Sequence, residues 1–209
     1  MDIYILFNTL CMINLAVFDF DGTITRKDSF LEFIRFSHGT ALFTGGFAMM
    51  SPYLLLWKLG ILKNGNVKQR VFGWFFKGMD YGRFQELADR FKHRISHMVR
   101  SDVMEKLKEH VLQGDQIIII SASVENWIRP WAKQQQIKMV AGTEIEVKDG
   151  VLTGRFSSDN CYGIEKVNRL IRLFPDLSSQ RNKYHITAYG DSNGDKELLA
   201  YANKGHYVG

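Results

Sequence analysis

Cysteine and proline are scarce: the 209 residues include two cysteines and three prolines. Cys11 and Cys161 belong to no metal-spaced set, which removes a zinc site from consideration, and so few thiols fit a reducing, cytoplasmic setting. No low-complexity run or internal repeat is visible. No stripe of Lys and Arg alternates with aromatics, so the net charge of +5 points to anionic substrates or surfaces and not to nucleic acid. The densest basic patch, Lys92, His93, Arg94 and Arg100, reads as a solvated helix face. The apolar N-terminus begins at Asp2 with no basic n-region and no small-residue cleavage site, so it is not read as a signal peptide. Residues 1–11 are expected to be a dispensable extension ahead of Met12. A hydrophobic content of 45% suffices for one medium domain, or for a core with a smaller inserted domain.

Periodicity divides the chain in two. Residues 13–20 read as a buried parallel strand. From 29 to 100 no strand pattern occurs. Ser29 is placed to cap a helix to about 38, residues 40–62 are strongly apolar, and 64–77 and 81–98 are amphipathic. After Arg100 the pattern alternates. A helix is expected from a Ser101 cap to Gly114, then a strand at Ile117–Ile120 and a helix over 124–135, interrupted or kinked near Pro130. A short strand at 138–141, a hairpin turning at Lys148-Asp149-Gly150 and a helix over 164–174 follow. A strand at 185–189, a helix over 196–202 and a strand at 206–208 complete the set. The expected fold is α/β: a Rossmann-like core with a mainly parallel sheet, residues 1–28 and 100–209, and an inserted all-helical cap, residues 29–99.

Ligands of such sheets bind beyond the carboxyl ends of the strands, and polar groups collect there. Asp19-Phe20-Asp21-Gly22-Thr23 leaves the first strand, Ser121 follows the four isoleucines, Lys166 sits near a helix start, and Gly190-Asp191 through Asp195 leaves a later strand. Each alone has an ordinary reading as turn, cap or solvated residue. Together they supply what phosphoryl transfer needs: a nucleophile, charge neutralisation and a proton for the leaving group. Asp19 is the candidate nucleophile and Asp21 the candidate acid and base. Mg²⁺ favours oxygen ligands, which Asp19, the Asp21 carbonyl and Asp191 would supply, with Asp195 completing the site through a water. Ser121 and Lys166 are expected to grip phosphoryl oxygens, with backbone N–H groups near Phe20, Asp21 and Ala122 closing the cradle.

These residues resemble the four motifs of the haloacid dehalogenase superfamily of phosphatases. The helical insertion resembles the cap of its phosphoserine-phosphatase-like branch. The resemblance implies a Mg²⁺-dependent phosphomonoesterase working through an aspartyl-phosphate, with transfer to an acceptor other than water as an alternative. It implies a substrate-facing acid at Asp28 and a carboxylate-binding arginine at Arg70. Two positions depart from the phosphoserine phosphatase pattern: Gly194 stands where an asparagine is usual, and Ala122-Ser123 replaces a glycine pair. The layout is also similar to phosphatidylglycerophosphate phosphatases of that branch, which keeps a phospholipid headgroup open beside a phosphorylated small molecule. Residues 39–57 carry no Asp, Glu, Lys or Arg. They read first as buried cap helices with a break near Pro52. A membrane span or a peripheral membrane contact is the alternative.

Overall fold

The computed structural model of the protein describes residues 12–61 and 64–209, so the expectation for residues 1–11 lies outside the described residues. Strand β1 (Ile13–Phe18) is the centre of a five-stranded sheet. Strands β2 (Gln116–Val124) and β6 (Tyr184–Gly190) flank it, with β3 (Met139–Thr143) and β7 (Lys204–Tyr207) outside, in the order β3-β2-β1-β6-β7. Every neighbouring pair runs parallel. Successive side chains of a strand point to opposite faces, so the central strands are apolar throughout. Ala16, Phe18, Ile117 and Ile119 pack on one face, and Leu15, Val17, Ile118 and Ile120 on the other.

β2 is longer than its isoleucine run suggests. It continues through Ser121 to Val124, and its register with β3 shifts between Ile120 and Val124. Ser121 therefore sits at a pairing irregularity inside the strand and not after its end. Helices α4 (Ser101–Gln113), α5 (Glu125–Gln134), α6 (Ile164–Leu173) and α7 (Lys196–Tyr201) cover the sheet. Arg100, not Ser101, is the residue before α4, and Gly114 closes that helix with a φ of 79°. Pro130 lies inside α5 without ending it.

Between β1 and β2 come α1 (Ser29–Lys58), α2 (Asn64–Phe76) and α3 (Tyr81–Ser96). The helix starting at Ser29 breaks at Gly39, whose φ of 78° and ψ of 168° are non-helical. It does not break at Pro52. Proline cannot donate to the carbonyl one turn back, and there the Ser51 hydroxyl donates to the Ala48 carbonyl at 2.8 Å instead. Gly46 lets this second half lie close on α2, since a Cβ there would meet Trp74 at 2.4 Å. The face of 39–57 is also less buried than expected: Leu42, Met49 and Leu55 are exposed. No helix among the described residues is long and apolar enough to cross a membrane.

An aromatic cluster joins the insertion to the sheet layer. Phe33 stacks on Trp127 of α5 at 4.6 Å and on Phe76 at 5.5 Å, and meets Phe84 and Phe91 edge-on. An antiparallel hairpin, β4 (Ile145–Lys148) and β5 (Val151–Phe156), packs on α2.

Candidate active site

The β1 register carries Asp19 to the carboxyl edge of the sheet, where its N–H donates to the Tyr189 carbonyl of β6 at 2.9 Å. The chain then turns through Gly22, whose φ of 85° is left-handed. A Cβ at Gly22 would lie 2.1 Å from an Asp191 oxygen, so glycine is what lets the two loops meet. Asp191 follows β6, and its Oδ1 accepts from the Thr23 hydroxyl at 2.9 Å. Asp195 is fully buried, and its Oδ2 accepts from both the N–H and the hydroxyl of Ser192, at 3.0 and 2.7 Å.

Lys166 enters from the first turn of α6 and is buried. Its ammonium donates to Asp19 Oδ1 at 2.5 Å and also to Asp195 Oδ1. Burial alone would lower its pKa, but the two carboxylates outweigh burial and hold it above the usual lysine range. Burial pushes the Asp19 carboxyl up to about 7 despite the attraction of Lys166, with Asp195 adding to the rise.

Carboxylate oxygens of Asp19, Asp191 and Asp195 lie within 4.8 Å of one another. An all-oxygen, net-negative set of this kind fits a hard divalent cation. The Asp21 carboxylate is not part of that trio.

Asp21 faces the other way. Its Oδ1 accepts from the Ser29 N–H at 2.7 Å, and its Oδ2 accepts from the Ser123 hydroxyl. The Ser29 hydroxyl donates to Ser123 Oγ at 3.3 Å and itself accepts from the Trp127 indole N–H at 3.1 Å. A chain of donors from α5 thus fixes this carboxylate. Burial pushes its pKa up to about 6, and the negative charge of Asp28 adds to the rise.

Asp19, Asp21 and Lys166 open into one cleft of about 420 Å³. Asp19, Asp21, Ser121, Ala122, Lys166, Ser192, Gly194 and Tyr162 form its floor and sides. Phe20 faces away: its ring packs in the core against Trp131 at 5.5 Å, leaving only its backbone toward the loop. Asp28 reaches the cleft, but its Oδ1 accepts from the Leu31 N–H at 3.0 Å, so Asp28, rather than Ser29, is the acid capping α1. Arg70 is not brought to the cleft. It is exposed, with its guanidinium over the Tyr53 ring at 4.6 Å.

Lys68 lines the cleft instead. Its ammonium donates to the Ala122 carbonyl at 2.9 Å and lies over the Phe30 ring at 5.0 Å. Lys68 and Tyr162 were not singled out by sequence, and Ser123 and Ser192 were named only as parts of motifs without a role. For Lys68 a signal existed, because it borders the buried Val67 and Val71 one helical turn apart. Ser123 lies two residues along the same strand from Ser121, and its sign in the sequence was the Ala122-Ser123 pair in place of two glycines.

A family model described as haloacid dehalogenase-like hydrolase matches residues 16–200. The protein CicA of Caulobacter vibrioides is 30% identical over 196 residues, 92% of this chain and 85% of that protein. A probable phosphatase of Mycobacterium tuberculosis is 26% identical over 188 residues, 88% of this chain and 64% of that protein. Among solved structures, a phospho-aspartyl intermediate analogue of phosphoserine phosphatase aligns with a TM-score of 0.62 at 17% identity, covering 91% of this chain and 84% of that one. At that identity the likeness speaks for the fold.

Proposed function

The chain belongs to the haloacid dehalogenase-like hydrolase family, and we propose that this phosphatase cleaves phosphomonoesters in two steps through an aspartyl-phosphate on Asp19, with Mg²⁺ as cofactor. In the first step Asp19 attacks phosphorus, the bond from phosphorus to the ester oxygen breaks, and protonated Asp21 gives its proton to the leaving alkoxide. In the second step Asp21 takes a proton from water as that water attacks the phosphoryl group. Inorganic phosphate leaves and the Asp19 carboxylate is restored. Ser121, Lys166 and the backbone N–H groups at Phe20, Asp21 and Ala122 hold the phosphoryl oxygens.

Asp19, Asp191 and the Asp21 carbonyl would hold the Mg²⁺, with Asp195 supporting it. When bound, the ion neutralises phosphoryl charge and lets Asp19 stay ionised beside a dianionic ester. A phosphorylated small molecule is the substrate class, and residues 29–99 act as the cap that selects among its members.

The observation that carries this reading is the convergence of Asp19, Asp21, Ser121 and Lys166 on one cleft. It is tested by hydrolysis of an aryl phosphate with and without Mg²⁺. Asp19→Asn should lose activity at least ~1,000-fold, and full activity in that variant contradicts the mechanism.

A further inference from the structure

Five apolar side chains roof the cleft: Phe30, Leu31 and Phe47 from α1, and Val67 and Val71 from α2. Two charged residues, Asp28 and Lys68, accompany them. Asp28 caps α1 through Oδ1 and is exposed. Lys68 is anchored on the Ala122 carbonyl, next to Ser121, so its positive charge lies over the phosphoryl end. Arg70 stands outside, on Tyr53. A substrate carboxylate would find no cation at the roof among the described residues, and a substrate ammonium would find only the capping Asp28. Burying the carboxylate without a partner costs several kcal/mol.

From this lining we propose that the cleft accepts a phosphomonoester whose organic part is apolar, alkyl or aryl, with Lys68 contacting the phosphoryl oxygens from the cap side. The proposal rests on the phosphatase reading above and deepens it. The apolar part lies against Phe47, Leu31, Val67 and Val71. The volume, about 420 Å³, falls among small-molecule sites. Selection for the ester then comes from desolvation and not from charge pairing.

The test is a series of soluble alkyl phosphates, ethyl through octyl, with O-phosphoserine beside them, all with Mg²⁺ and below any micelle concentration. kcat/KM should rise by up to about fourfold per added methylene until the cleft is filled. O-phosphoserine should fall at least about tenfold below butyl phosphate. Phe47→Ala should flatten the rise, while Lys68→Met should lower kcat/KM for every ester by a similar factor and leave the slope intact.

A flat series, or a preference for O-phosphoserine, overturns the proposal while Asp19-dependent turnover leaves the mechanism standing. No turnover of any ester contradicts both. Phosphatidic acid in vesicles separates two sources of the same chemistry. Turnover above that of octyl phosphate assigns the apolar part to a bilayer lipid, and turnover below it assigns the part to a soluble ester.

Discussion

The Lys166 ammonium lies 2.5 Å from Asp19 Oδ1, and both groups are buried. One lysine so placed answers two needs. It offsets part of the burial cost on the Asp19 carboxylate, and it ties the loop after β1 to α6. Its second bond, to Asp195, draws the loop after β6 into the same knot.

Lys166→Met leaves Asp19 and Asp195 buried with no counter-ion. Breaking a buried pair in this way costs about 3–5 kcal/mol. Urea denaturation should show that loss, and added Mg²⁺ should recover part of it by supplying charge to the same carboxylates. Stability equal to wild type in the absence of Mg²⁺ would contradict the pairing.

Ser123→Ala removes one of the two holds on Asp21 and leaves the other, the Ser29 N–H. The acid can then swing from its line to the leaving group. Steady-state kinetics should show kcat reduced by about 10–100-fold with KM little changed. A raised KM with unchanged kcat would place Ser123 in substrate binding instead.

Both Asp19, at about 7, and Asp21, at about 6, sit above their ordinary value of 3.8. Between those limits the folded chain binds more protons than the unfolded one, so without metal these two groups lower stability as pH rises through that window. Thermal melts in chelator should show it, and Asp19→Asn should lose less stability than wild type between about pH 4.5 and about pH 7.5. Mg²⁺, which favours the ionised acids, should raise the wild-type Tm more at the higher pH. An equal fall in the variant would mean that Asp19 is not the titrating group.

The core and the loops that meet at the cleft were legible because their signals are local. Four consecutive β-branched isoleucines just after Gly114 favour an interior strand over a helix, and acids at strand exits have few structural uses. What depends on pairing was not legible. The extension of β2 to Val124 is held by its bridge to Thr143 across a register shift, which no run of residues announces. Helix faces misled in the insertion. Lys68 and Arg70 are two positions apart on α2, about 200° around the axis, so only one can look into the cleft. Lys68 borders the buried stripe of Val67 and Val71, and it is the one that does. The break at Gly39 and the continuity through Pro52 turned on a left-handed φ and on the Ser51 hydroxyl.

The central claim is a covalent phosphoryl group on Asp19. Rapid quench during turnover of an aryl phosphate, followed by borohydride reduction and peptide mass spectrometry, reads it directly, because an acyl phosphate is reduced to the alcohol. The account predicts homoserine at position 19, dependent on substrate and absent in Asp19→Asn. Active enzyme that yields only intact Asp19, or a reduced acid at another position, contradicts it.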